Sequence, residues 1–283
     1  MANVEQRIAR VNSGDVSLFY RAFGSPGGTP ILILHGSNYY DSYDWIGVAT
    51  ALAGDREVAT PDRRGWGEST WSPSKNNSRD ALMADMVAVI DAMKWTRPPI
   101  VMGHSGAGPT VIAFAVDYPD RLSKLVLIDS QMNRDEDAVT GPTVGNPPLV
   151  FESIEAAMAR FAKLNNPPRL AHDRARAQHA LIRTEAGYML KRDPDAGNKK
   201  PVGVAEQAPK FPVREMWAEL GMVRTPTMLV RGLRSDRFPP ETVERFTKEY
   251  PNIPQRTVDS QHDIPGQAPD AFVAHVREFI GAA

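Results

Sequence analysis

Two four-residue runs, Ile31–Leu34 (ILIL) and Leu125–Ile128 (LVLI), constrain this chain more than any other feature. Each is apolar at every position and flanked by Gly, Pro or Asp within a few residues. A strand with one wet face alternates apolar and polar residues. A strand apolar throughout is buried on both faces, which is the situation in a parallel sheet covered by helices. Weaker runs recur at Val16–Tyr20, Glu57–Thr60, Ile100–Met102, Thr227–Val230 and Gln255–Val258. Helical stretches lie between them. Ser78–Lys94 sets Leu82, Met86, Val89, Ile90 and Met93 three and four residues apart, one apolar helix face. Pro109–Asp117, Glu241–Glu249 and Pro269–Ile280 continue the alternation. The pattern predicts an α/β fold: a mostly parallel, open, twisted sheet of about eight strands flanked by helices.

The rhythm stops between residues 131 and 220. Nine prolines fall in this stretch, no buried strand is evident, and Ser153–Leu164 and Ala171–Arg183 read as helices. Strand character resumes at Thr227. The expected organisation is a core of residues 1–130 and 221–283, with a helical cap of residues 131–220 inserted after the sixth strand. Composition narrows the function. The 33 basic and 34 acidic residues leave a net charge of −1, which disfavours nucleic acid and membrane surfaces as partners. Cysteine is absent, so disulfides, thiolate metal sites and a cysteine nucleophile are excluded. No apolar run approaches the roughly 20 residues of a membrane span. MANVEQRIARV has no secretory signal pattern, and a cytoplasmic location is expected. The oligomeric state is open; a homodimer is compatible with the sequence.

The sharpest chemical signal is Gly103-His104-Ser105-Gly106-Ala107-Gly108, where a strand turns into a small-residue helix. A serine at such a turn is forced into a strained conformation with its hydroxyl standing clear of the sheet. The helix start brings backbone N–H groups to where an oxyanion would form. A Gly/Ser turn after a strand is common in α/β proteins, so the motif gains weight from its company. His35-Gly36-Ser37-Asn38 follows ILIL, and its glycine turn can aim the Ser37 N–H at the same point. His35 itself reads as a structural histidine. Asp236 follows the Thr227 strand in GLRSD, and His262 follows the Gln255 strand in SQHD. The chain order Ser, Asp, His and the placement after strands suit nucleophile, orienting acid and general base. Asp129, which ends LVLI, is the rival acid, and Asp236 is preferred. The pair Arg63-Arg64 either meets an acidic substrate group or makes structural contacts. No phosphate loop, dinucleotide fingerprint or metal spacing is present, so no cofactor is expected.

With these motifs the chain resembles the α/β-hydrolase fold superfamily, in its serine-nucleophile, cap-bearing form. The carriers are His35-Gly36, the D-x-R-G-x-G-x-S stretch Asp62–Ser69, the elbow GHSGAG, the acid loop RGLRSD and the terminal QHDIP. Ala107 departs mildly from the G-x-S-x-G elbow. The resemblance implies Ser105 as nucleophile, Asp236 as acid, His262 as base, and an oxyanion hole from the N–H groups of Ser37 and Gly106. It also makes the cap the seat of specificity. Asn38, His104, Phe161 and Trp217 are the candidate substrate contacts, around a mostly apolar pocket between cap and sheet. The expected activity is cofactor-free hydrolysis, through an acyl-enzyme, of a carboxylic ester or lactone of a small, mostly apolar molecule. Hydrolysis of a carbon–carbon bond in a ring-fission diketone is the alternative, ahead of a perhydrolase, a cofactor-free oxygenase or a ligand receptor on the same fold.

Overall fold

A computed structural model describes residues 4–37, 41–130, 132, 149–162, 170–196 and 214–281. Strands β1 (Gln6–Ser13), β2 (Val16–Phe23) and β3 (Ile31–Leu34) lead to helix α1 (Ile46–Leu52) and strand β4 (Val58–Pro61). Helix α2 (Arg79–Ala92), strand β5 (Ile100–His104), helix α3 (Gly108–Asp117) and strand β6 (Lys124–Ile128) complete the first part of the core. The insertion holds β7 (Val150–Phe151), α4 (Ile154–Ala162), α5 (Leu170–Ala180), β8 (Leu181–Thr184) and β9 (Gly187–Leu190). The chain then returns through α6 (Met216–Met222), β10 (Thr227–Gly232), α7 (Pro240–Glu249), β11 (Gln255–Val258), α8 (Ile264–Gln267) and α9 (Pro269–Ile280).

Among the described residues the main sheet has eight strands in the order β1-β2-β4-β3-β5-β6-β10-β11. From β4 to β11 every pairing is parallel, while β1 and β2 run antiparallel at one edge. Every residue of ILIL and LVLI is buried, as continuous apolar strands require. One face of the sheet packs with α2, α3, α6 and α7, the other with α1 and α9. The expected α/β architecture, with an insertion after the sixth strand, is the architecture found.

The register places the site. Leu34 is level with Gly103, His104 with Ile128, Ile128 with Val230, and Gly232 with Val258. The residues that follow β3, β5, β6, β10 and β11 therefore emerge along one edge, the carboxyl edge where open sheets build their sites.

Three details differ from the sequence reading. Strand β1 was not evident, because QRIARVNS is an exposed edge strand with charge on it; its partner β2 and the Gly14 turn, at φ +56°, hold it in place. The insertion is not purely helical: β7, β9 and β8 form a three-stranded antiparallel sheet. The hairpin Leu181–Leu190 takes over where the expected helix Ala171–Arg183 stops. Finally, α6 belongs to the core rather than to the cap. Met216, Trp217 and Leu220 are buried in the main cluster, so the described insertion ends before Met216 instead of at residue 220.

That last point corrects the role of Trp217. Its ring stacks on Tyr250 with centroids 6.0 Å apart, meets Phe246 at 6.3 Å, and carries the Arg245 guanidinium 4.0 Å above it. Trp217 is packing for α7, not a pocket wall. Trp217→Ala is expected to cost about 3–5 kcal/mol of unfolding free energy in a denaturant melt, with unchanged substrate preference in the folded fraction.

Candidate active site

Strand β5 ends in His104 with extended backbone, and Ser105 then adopts φ +51°. This is the strained turn expected for a serine between a strand and a helix, here continuing into α3 behind a short 3₁₀ turn. The hydroxyl Oγ lies 2.8 Å from His262 Nε2. His262 Nδ1 lies 2.6 Å from Asp129 Oδ2. The carboxylate at Nδ1 sets the tautomer: Nδ1–H donates to Asp129, and Nε2 is left to accept from Ser105.

The acid beside the histidine is therefore Asp129, not Asp236. The Asp236 side chain is 80% exposed and sits against its neighbour Arg237 at 3.3 Å. Asp129 is wholly buried at the end of β6 and is held at φ +44°. The loop expected to supply the acid supplies donors instead. Gly232 N donates to Asp129 Oδ1 at 3.2 Å, and Ser235 Oγ donates to Oδ2 at 2.5 Å. Both carboxylate oxygens are thus engaged, which fixes the carboxylate plane toward His262. Asp236 lies one residue beyond the point where that loop touches the site.

Ser37 and Gly106 lie side by side next to the serine. A Cβ on Gly106 would stand 3.4 Å from Ser37 N and 2.0 Å from Ser37 Oγ, and one on Gly36 would stand 2.9 Å from Ser105 Cβ. Only glycine allows the loop after β3 and the elbow to approach this closely. Asn38 lies outside the described residues, as does the side chain of Phe161.

His104 is not a substrate contact. It is buried, its Nε2 donates to the His262 carbonyl at 3.0 Å, and its ring stacks on His262 with centroids 4.7 Å apart. Burial, reinforced by the neighbouring His262, pushes its pKa down to about 3, so it stays a neutral prop. His35 is another prop. Its Nδ1 donates to Gly36 O at 2.8 Å and its Nε2 accepts from Arg63 N at 2.9 Å. Burial and the Arg63 charge lower its pKa to about 3. A histidine neutral in the fold but protonated in the unfolded chain stabilises least in acid. Its contribution is full above about pH 6.5 and is lost as pH falls toward 3. From pH 6.5 to 5 the loss attributable to His35 is about 2 kcal/mol. Urea melts across that range should show a shallower acid limb for His35→Gln than for the parent protein.

The Asp62–Ser69 stretch is a bracket under the site. Asp62 Oδ1 accepts from Ser42 N (3.0 Å) and Oγ (2.5 Å), and Oδ2 accepts from Glu68 N at 2.8 Å. Arg64 is buried and forks onto Asp85 at 2.7 and 2.6 Å, a structural pair. Arg63 reaches the loop after β3, with Nη1 3.3 Å from Ser37 Oγ.

The described part of the insertion meets the core through several charged pairs. Arg176 pairs with Asp44 and Asp263, His179 with Asp41 at 3.1 Å, Lys191 with Glu68 at 2.5 Å, and Lys75 with Asp193 at 3.2 Å. Apolar periodicity could not reveal this, because each partner is distant in sequence.

Residues 29–269 match the model of the alpha/beta hydrolase fold family. The chain belongs to that family. Among curated relatives of this α/β hydrolase is the 2-hydroxy-6-oxononadienedioate/2-hydroxy-6-oxononatrienedioate hydrolase of Paraburkholderia phymatum, 28% identical over 76% of this chain and 73% of that one. Lipase 1 of Psychrobacter immobilis is 25% identical over 93% and 78%. Among solved structures, E-2-(acetamidomethylene)succinate hydrolase superposes with a TM-score of 0.81 at 21% identity, covering 98% of this chain and all of that one. No helix among the described residues of the α/β hydrolase is long and apolar enough to cross a membrane.

Proposed function

We propose that this α/β hydrolase is a cofactor-free serine hydrolase that cleaves a carboxylic ester or lactone of a small molecule through an acyl-enzyme. The observation that carries the reading is the hydrogen-bonded line Ser105 Oγ–His262 Nε2, His262 Nδ1–Asp129 Oδ2. As Oγ attacks the carbonyl carbon, its proton passes to Nε2, and the imidazolium is stabilised by the Asp129 carboxylate. The negative charge that gathers on the carbonyl oxygen is received by the N–H groups of Ser37 and Gly106. The carbon–oxygen bond to the leaving alcohol then breaks as Nε2 returns the proton to it. Water, deprotonated by the same Nε2, attacks the acyl carbon; the Oγ–carbon bond breaks, Oγ takes up the proton, and the acid leaves.

A second reading has support in the relatives. The Paraburkholderia phymatum protein is named as a hydrolase of an oxo-dienedioate, a class of compound with no ester bond, whose hydrolysis would have to break a carbon–carbon bond next to the ketone. The same residues suit that reaction: the 2-hydroxyl gives up its proton as C5 takes one up, water deprotonated by His262 attacks the C6 carbonyl, and the C5–C6 bond breaks with its electron pair held as a dienolate that is then protonated, leaving a carboxylic acid and a hydroxydienoate. The test is a panel of aryl esters, lactones and ring-fission diketones with product analysis. Turnover of esters or lactones with release of acid and alcohol supports the first reading. Turnover confined to the diketones moves the assignment to the second. No turnover of any carbonyl substrate overturns both.

A further inference from the structure

The His262 loop is held from two sides, and one of them is the insertion. From the core side, His104 Nε2 donates to the His262 carbonyl. From the other side, Arg176 of α5 reaches Asp263, the next residue, with Nη1 3.0 Å from Oδ2. The same guanidinium forks onto Asp44, Nε to Oδ1 and Nη2 to Oδ2, both at 2.7 Å. Its side chain is 3% exposed, and those of Asp44 and Asp263 are each 11% exposed. Asp263 also opens α8, so its position fixes how the chain leaves His262. One helix turn further along α5, His179 stacks on Tyr43 at 4.3 Å and bonds Asp41.

Stability does not account for this arrangement. A buried ion cluster gains little over well-packed apolar residues, because desolvation offsets most of the attraction. What a planar, bidentate guanidinium provides is a fixed distance and angle. Resting on the serine-hydrolase reading above, we propose that Arg176 is a positioning residue: it clamps the Asp263 end of the base loop to α5, so that docking of the insertion sets the aim of His262 at Ser105. Around the His262 loop, among the described residues, stand Asp129 of β6 on its Nδ1, His104 of β5 stacked on its ring, Asp263 as its neighbour in the chain, and Arg176 of α5 paired with Asp263 and Asp44.

The clamp predicts two separable effects. Loosening it misplaces Nε2, and a misplacement on the order of 1 Å costs about 100-fold in rate. Removing its charge leaves the carboxylate of Asp263, the residue next to His262, uncompensated; a nearby negative charge favours imidazolium, so the midpoint of the pH profile should move to higher pH. The experiment is the rate of Ser105 phosphorylation by diisopropyl fluorophosphate against pH, followed by intact mass. Oγ displaces fluoride from phosphorus while His262 takes the hydroxyl proton. Expected for Arg176→Met is a plateau rate at least tenfold below wild type and a midpoint shifted up. Arg176→Lys should restore the midpoint without restoring the plateau. Asp263→Asn should shift the midpoint down, and it decides the matter if Arg176→Met fails to fold. Wild-type plateau and midpoint in folded Arg176→Met, or a lowered melting temperature with no shift in midpoint, would overturn the clamp. So would an unshifted midpoint in Asp263→Asn. Wild type that resists the reagent at every pH overturns the serine-hydrolase reading itself, a distinct result.

Discussion

Ser105→Ala should abolish hydrolysis, with a loss on the order of a millionfold in kcat for whichever substrate the panel identifies. The size follows from the role proposed for Ser105 as nucleophile. Without Oγ no acyl-enzyme forms, and His262 and Asp129 have nothing to activate; what remains is binding and the two N–H groups at Ser37 and Gly106. The substitution also relaxes little, since Ser105 is half-buried and alanine keeps the turn's bulk. The variant should therefore fold, still bind substrate, and fail only in turnover. Steady-state rates at saturating substrate, with a binding titration on the same sample, check this. Turnover at the wild-type level would remove Ser105 from the mechanism.

Asp129→Asn should cost about 10⁴ in kcat, because an amide presents a donor to Nδ1 and selects the wrong tautomer of His262. Asp236→Asn should change kcat by less than about twofold, since an exposed pair of this kind contributes little. The contrast is the test: both residues follow strands that end at the same sheet edge, both precede His262 in the chain, and only one touches it. Kinetics of the two variants side by side, with Ser235→Ala as a milder third, separate the positions. A large loss at Asp236 and none at Asp129 would reverse the assignment.

The preference for Asp236 shows where sequence reasoning ran short. Chain order and placement after a strand admit both aspartates, and neither criterion measures reach. Asp129 stands directly after LVLI, whereas Asp236 is four residues past Gly232, so the loop's length carries it away from the edge. The strand Leu125–Ile128 was legible because burial on both faces leaves a continuous apolar run. β1 was not, because an edge strand exposed along most of its length carries arginines that a helix or loop would carry equally well. Trp217 is ambiguous in the sequence for a related reason: an aromatic in a proline-rich stretch carries no mark of which domain will enclose it. His104 sat inside the elbow motif, yet its partner, the His262 carbonyl, is 158 residues away and leaves no trace in spacing.

Placing the acid after β6 has an engineering consequence. Strands β5 and β6 are direct neighbours, so Ser105 and Asp129 are 24 positions apart in sequence and belong to one rigid patch of sheet. Both lie upstream of the insertion; of the three linked residues only His262 lies downstream. A foreign cap grafted between residues 132 and 214 would therefore leave the Ser105–Asp129 half of the proposed site intact. The burden on a graft falls on the returning half, which must bring His262 back to a fixed target. Chimeras that fold yet lie dormant should be recoverable by repairing the return path alone.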